Sequence, residues 1–466
     1  MTELTWLTLP ELGRLLRTRK VSAVELAEHF LDRLERLGPV YNAVVTVLRE
    51  PAISEARARD GELASGKDRG PLHGIPYGAK DLLGAEGAPT TWGAQPYRDQ
   101  MLKGDAAVIR RLREAGAVLC AKLAMVELAG GRGYNQAFAS FTGPGRSPWN
   151  PARWSGGSSS GSGSAVGAGL VPFAIGSETW GSIQYPAAFC GVSGLRPTYG
   201  RVSRHGAMAL SWSMDKLGPL ARTVEDCGTV LAAIAGPDPA DPSALDRPFA
   251  HPDNAGSRRR YRLGVLKGTL DKTQSEVRRN FEESLRVLRG FAEVREDLEL
   301  PDYPYEAMAS IVIDAEAASA FEPLFESGRI TQLTAPEDRI GGYAGQVVLA
   351  KDYIRALRLR TFVAREADRV VSGLDALVAP GRPAIASPLD REFRSAARGN
   401  VADVMGAIGN AAGLPSIAVP NGFSEAGLPT SLQFMGRAWE ENTILAAARA
   451  WQAITDHHAQ HPPEVS

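Results

Sequence analysis

Apolar positions recur every three or four residues along "SAVELAEHFLDRLERLG", where Val24, Leu26, Ala27, Phe30, Leu31, Leu34 and Leu37 fall on one helical face. Ser22 with Glu25 three residues on predicts a capping box at the start, and Gly38-Pro39 predicts the end. "LPELGRLLRT" before it reads as a helix with Pro10 near its first turn. A strand-like run, "AVVTVL", and a charged helix through Glu62 follow. Further on, "DAAVIRRLREAGAVLCAKL" reads as helix, glycine turn and buried strand. "RLGVLKG", "DALVAP", "PSIAVP" and "TSLQFMG" read as short buried strands, residues 273–291 as an amphipathic helix, and "NTILAAARAWQAI" as a closing helix. Residues 342–371 carry a long helical pattern with Arg and Lys on one side. Strand and helix signals alternate throughout, which predicts an α/β fold: a single large α/β/α sandwich on a mixed, mostly parallel central sheet.

Length and charge narrow this picture. A chain of 466 residues can bury roughly three quarters of its unfolded surface in one core. We expect one domain over 1–466, with 1–65 a helical segment packed on a core centred on 70–220. A Pro/Asp-rich stretch, 236–256, is expected as a surface excursion. Lys and Arg number 52 against 53 acids, a net charge of −1, so the bulk composition makes no electrostatic case for nucleic acid or an anionic membrane. The densest basic run, "SRRRYR" from Ser257, reads as a solvated face. Cys120, Cys190 and Cys227 lack metal-ligand or redox spacing and read as buried thiols of a reducing compartment. The N-terminus has no apolar signal-peptide core, and no window approaches the ~18 apolar residues of a membrane span. The expected location is therefore cytoplasmic.

The stretch "GGSSSGSGSAVGAG" resembles a flexible linker by composition, yet apolar "LVPFAIG" follows at once, which predicts an ordered loop feeding a helix. Within it "GSSSG" fits a nucleophile elbow with Ser159 as nucleophile, but "SPWNPARWSG" before it makes a poor strand. The downstream histidines fall close in sequence (His205), in the Pro-rich excursion (His251) or in a polar tail (His457, His458, His461). Nucleotide hydrolysis and zinc catalysis lack their motifs altogether. That leaves a lysine as base. "HGIPYGAKDLL" sets Lys80 among small and apolar residues, where desolvation lowers its pKa and leaves an amine able to accept a proton. Taken alone, "KD" is more often a surface ion pair.

"GIPYGAKD", "GGSSSG" and "GSETWGSIQYPAAFCGVSGLRPTYGRVS" occur in that order, and together they resemble the amidase signature family. The likeness is strong over residues 70–219 and returns at "AAGLPSIAVPNG" and "GLPTSLQFMG". It implies a catalytic Ser–Ser–Lys triad on Ser182 (nucleophile), Ser158 and Lys80, with a cis peptide bond holding Ser158. It also implies an oxyanion hole from the amides of Thr179, Trp180, Gly181 and Ser182, and substrate contacts at Ala129, Gly130, Gly131 and Ser158. Tyr134 and the Trp149/Trp154 pair are candidate aromatic walls or ordinary core.

Two positions depart from the family pattern. Trp180 stands where glycine is common, so the backbone there must suit an L-residue, and the indole must pack behind the loop or narrow the pocket. Gln184 replaces a common arginine, which puts one structural or carboxylate contact in doubt. The resemblance implies a hydrolase of carboxamide C–N bonds working through an acyl-enzyme, without metal or organic cofactor. Small or aryl amides are its expected substrates, with esters and carbamates in reach of the family. Its expected partner is a small-molecule amide alone, with no nucleic acid and no membrane, the protein being a monomer or homodimer. The rival readings are the glutamine-hydrolysing subunit of a glutamyl-tRNA(Gln) amidotransferase and a catalytically silent scaffold.

Overall fold

Strands that are apolar on both faces need cover on both sides, and short apolar runs separated by helices meet that need in a wide sheet between helical layers. The computed structural model describes residues 2–130, 133–251, 260–393 and 404–463. Its strands are β1 (Val44–Val47), β2 (Pro76–Lys80), β3 (Val118–Leu123), β4 (Arg146–Ser147), β5 (Asn150–Trp154), β6 (Phe173–Glu178) and β7 (Ser193–Arg196). They continue with β8 (Lys216–Ala221), β9 (Tyr261–Leu266), β10 (Ala292–Leu298), β11 (Ala376–Pro380), β12 (Ser416–Phe423) and β13 (Pro429–Met435). One sheet runs β1-β3-β2-β6-β8-β7-β12-β13-β11-β9-β10, and β4 with β5 forms a separate ribbon.

The α/β fold and its mixed sheet match the expectation, but the balance of directions does not. β2 runs parallel to β3 and β6, and β9 to β10 and β11. The other neighbours in the sheet are antiparallel, so the mostly parallel sheet is corrected. Parallel pairing needs a long crossover, whereas β12 and β13 are joined by a tight turn and β8 returns between β6 and β7.

At the N-terminus the patterning is realised closely. Ser22 and Glu25 form the capping box of helix Ala23–Tyr41, and Leu26, Phe30, Leu31 and Leu34 are wholly buried. The helix runs past Gly38-Pro39, however, and ends at Asn42 in the left-handed region (φ 49°). Pro39 sits in the last turn, where its missing N–H removes one bond. The amides of Asn42 and Ala43 close the end on the carbonyls of Pro39 and Gly38 (3.2 and 3.0 Å). The long pattern at 342–371 divides into two helices, Pro336–Gln346 and Ala350–Val371.

The serine-rich stretch is ordered. It forms the helix Ser160–Gly167, buried at every position. Ser162 Oγ donates to Ile175 O (3.1 Å) and Ser164 Oγ to Arg146 O (2.7 Å), so the hydroxyls bind neighbouring backbone instead of water. The excursion at 236–256 is tied down: Asp238 accepts from Ser203 Oγ (2.8 Å) and Asp241 from the Arg204 amide (2.7 Å). Its residues 252–256, and Ser257 to Arg259 of the basic run, lie outside the described residues. All three cysteines are free and buried. Among the described residues no helix is long and apolar enough to cross a membrane.

Gly161 tests this packing. A Cβ there would meet Ala43 O at 2.3 Å and Ala124 N at 2.5 Å, both backbone atoms that cannot swing aside. We expect Gly161→Ala to destabilise the fold by roughly 3 kcal/mol or more in denaturant unfolding, the upper end of overpacking costs.

Candidate active site

β2 and β6 are parallel neighbours in the middle of the sheet, and their carboxyl ends bring the chemistry together. Lys80 is the last residue of β2, and Ser177 and Glu178 end β6. Ser158 lies in the loop between β5 and the serine-rich helix, and Ser182 in the loop between β6 and the helix Gln184–Cys190. Lys80 is fully buried, and its Nζ donates to Ser158 Oγ (2.7 Å) and Ser177 Oγ (2.9 Å). The Gly157–Ser158 peptide bond is cis. The Ser159 amide donates to Ser182 O (3.2 Å), which holds the two serine loops side by side. Ser182 keeps only 7% of its surface exposed, and its hydroxyl makes no hydrogen bond among the described residues.

The loop after β6 is bound on both flanks. Burial works against an ionised Glu178, but Arg196 outweighs it and holds the carboxyl below its ordinary range. One Glu178 oxygen accepts from Arg196 (2.9 Å) and Asn410 (3.0 Å), the other from the amides of Ile183 (2.9 Å) and Gln184 (3.0 Å). On the opposite flank Asp215 accepts from Thr179 Oγ1 and from the amides of Leu210 (2.8 Å) and Ser211 (3.0 Å). Gly181 takes the left-handed conformation (φ 83°), and a Cβ there would strike the Tyr185 ring at 2.6 Å. Trp180 keeps negative φ, as its side chain requires, and packs half-buried against the main core. The amides of Thr179, Trp180, Gly181 and Ser182 donate no hydrogen bond among the described residues. Backbone donors left open on so confined a loop are unusual, since buried N–H groups are nearly always paired.

Burial pushes the Lys80 pKa down to about 7, against the opposing pull of Asp215 and Glu178. Near neutral pH a large fraction of the amine is therefore uncharged. The adjacent Asp81 is no surface residue. It pairs with Lys122 (2.8 Å), both side chains fully buried, so the reading of "KD" as a surface pair fails. Ser159 is likewise excluded as a nucleophile: wholly buried, it donates to Ser177 O (3.1 Å) and accepts from the Ser177 amide (3.2 Å). No histidine hydrogen-bonds to any of these serines among the described residues; His251, for one, is held by Glu225 and Arg449.

Ala129 lines a cavity of about 40 Å³ together with Ser177, Thr179, Met208, Leu210 and Asp215. Leu128, Ala129 and Gly130 are left-handed in succession (φ 51°, 62° and 73°), which costs roughly 1–2 kcal/mol for each non-glycine residue. Glu127 holds this segment by accepting from the amides of Thr334 and Ala335 (2.8 Å each). Gly131 lies outside the described residues. Trp154, at the end of β5, stands edge-on to Tyr134 in a satellite cluster with Phe189, whereas Trp149 is apart and donates to Cys190 O (3.0 Å). Gln184 Nε2 donates to the carbonyls of Gly194 and Ser416 (3.1 Å each), so it stitches the helix to β7 and β12.

The Amidase family profile matches residues 25–445. The chain belongs to the amidase signature family. Amidase signature enzymes hydrolyse amide C–N bonds, and the likeness to relatives runs end to end. A glutamyl-tRNA(Gln) amidotransferase subunit of Roseiflexus sp. is 37% identical over 99% of both chains. Among solved structures, a chain from a vestigial protein complex bearing on the origin of an s-triazine catabolic enzyme superposes with a TM-score of 0.87. It is 30% identical over 96% of this chain and 98% of that one. The native peptide amidase of Stenotrophomonas maltophilia gives 0.85, with 31% identity over 98% of each chain.

These relatives correct the expectation of a monomer or homodimer with a small amide as sole partner and no nucleic acid. The Roseiflexus relative is named as one subunit of an amidotransferase whose substrate is a charged tRNA. Near-zero net charge misled because it describes the whole surface and says nothing of what a second subunit carries. Ser177, Asp215 and Arg196 in this amidase signature protein went unassigned from sequence. Their available signal was charge or hydroxyl inside otherwise apolar strand ends, as in "SMDKLGPLA".

Removing one member of a buried pair leaves an uncompensated charge. Glu178→Ala, which strands Arg196 and two loop amides, should lower unfolding free energy by about 3–5 kcal/mol in denaturant titration, with Arg196→Ala similar.

Proposed function

We propose that the chain is an acyl-enzyme amidase that releases ammonia from the side-chain carboxamide of glutamine, as the glutamine-hydrolysing subunit of a glutamyl-tRNA(Gln) amidotransferase. The observation that carries the chemistry is the buried Lys80 Nζ on Ser158 Oγ, beside the Ser182 loop with its four unpaired amides. Neutral Lys80 takes the proton of Ser158 as Ser158 takes that of Ser182, and Ser182 Oγ attacks the carboxamide carbon. The carbonyl oxygen becomes an oxyanion facing the amides of Thr179, Trp180, Gly181 and Ser182. Each well-aimed donor is worth ~3–4 kcal/mol of barrier. Collapse breaks the C–N bond, the relay returns the proton to the leaving nitrogen, and ammonia departs. Water then attacks the acyl-Ser182 ester by the same relay and frees the acid.

End-to-end similarity to the Roseiflexus protein favours the assembly reading. A freestanding amidase of small neutral amides is the second reading. It draws on the likeness to the Stenotrophomonas peptide amidase and on the apolar wall of Leu82, Met208 and Leu210. Ammonia release separates the two. We expect hydrolysis of glutamine to rise at least tenfold when the remaining amidotransferase subunits are added. Equal turnover of glutamine with and without them, alongside faster turnover of a neutral amide, contradicts the assembly reading.

The relay also sets a pH dependence. Lys80 acts as a base only when unprotonated, and its pKa lies at about 7. On a non-titrating amide, kcat/KM should therefore fall about tenfold per pH unit below that value and level off above it. A profile flat down to pH ~5 would remove Lys80 from the reaction.

A further inference from the structure

The helices Pro336–Gln346 and Ala350–Val371 both pack on the helix Tyr305–Ala320, and a short turn joins them. Around that turn Ile340, Tyr343, Val347, Leu349 and Ile354 are each between 49% and 73% exposed. A soluble chain seldom leaves so many large apolar side chains together within fifteen residues, and contiguous apolar surface of this kind marks a docking site. The exposed side of the second helix is cationic. Lys351 and Arg355 share one carboxylate, Asp352 (3.1 and 3.2 Å), while Arg358 and Arg365 have no ion-pair partner among the described residues.

The buried sides of the same helices reach both walls of the site. Asp338 accepts from the Tyr134 amide (2.9 Å), next to the strained segment that carries Ala129. Arg360 donates to Ser213 O (2.7 Å), and Tyr353 Oη donates to Glu316 (2.9 Å), which also accepts from the Ser213 amide (2.9 Å). Two residues on, Asp215 holds Thr179 of the open-amide loop.

We infer that this corner is where a partner protein of the assembly docks, through a segment that is apolar with acidic flanks. It rests on the reading of the chain as one component of an amidotransferase. Cations bordering an apolar ridge complement acids bordering apolar residues. A phosphate backbone would satisfy the arginines but leave the five apolar side chains in water, so a protein segment is favoured over RNA. Docking there bears on helices that hold the Tyr134 loop and the Ser211–Ser213 loop, which gives assembly a physical route to the site.

The test uses the full chain and the other amidotransferase subunits of the host that carries this gene. Complex formation is measured by light scattering and titration for the unaltered chain, for Ile340→Glu/Val347→Glu/Ile354→Glu and for Arg358→Glu/Arg365→Glu. The expected result is a stoichiometric complex for the unaltered chain, weakened at least tenfold in both variants. Basal hydrolysis of a neutral amide and the thermal midpoint should stay unchanged. If the unaltered chain forms no complex, the assembly reading falls and this inference with it. If the complex forms and both variants match it, only this surface assignment falls. A homodimer that the apolar variant dissociates, or binding of tRNA alone that the arginine variant abolishes, would overturn it in favour of a second copy or of RNA.

Discussion

Lys80 carries an amine into the middle of a packed sheet, and the site is arranged around that burial. An ammonium withdrawn from water without an adjacent counterion is costly, so the amine is driven toward its neutral form. Asp215 and Glu178 are near enough to pull the other way, yet neither touches Nζ; the direct partners are two hydroxyls. That combination keeps the pKa near neutrality instead of driving it lower. It leaves a base whose strength suits proton transfer to and from a serine at physiological pH. A histidine is unnecessary once a lysine is held this way.

The acids that tune Lys80 are also the ones that shape the loop beside it. Glu178 fixes one flank of residues 179–183 through Ile183, Gln184 and Arg196, and Asp215 fixes the other through Thr179. A loop tied at both flanks can present four amide donors in one direction without reorganising when charge develops. Gln184 contributes to the same frame by binding two strand carbonyls, so the neutral residue serves a structural purpose where an arginine is common. Electrostatics and loop geometry are therefore one property of this site, and a change at Glu178 or Asp215 acts on both.

Much of this was legible in the residues, and the limits have physical causes. Helix Ala23–Tyr41 announced itself because its cap and apolar stripe are local. Its end was misplaced because Pro39 falls in the last turn, where losing one N–H costs little. Ser158, Ser182 and Lys80 were found through ordered motifs. Ser177 was missed because a serine in a strand carries no pattern of its own, and only the parallel pairing of β2 with β6 sets it against Lys80. Asp215 was missed for a related reason, since β8 reaches β6 through antiparallel pairing after an intervening loop. The direction of the central strands was misjudged because alternation of helix and strand signals reports layers, not the direction of each return.

The chemistry stands or falls on whether Lys80 activates Ser182 through Ser158. A peptide map by mass spectrometry after treatment with a fluorophosphonate, comparing the unaltered chain with Lys80→Ala, decides it. The adduct should form on Ser182, and at least a hundredfold more slowly without Lys80. An adduct on Ser159, or one on Ser182 whose rate ignores the loss of Lys80, would break the relay.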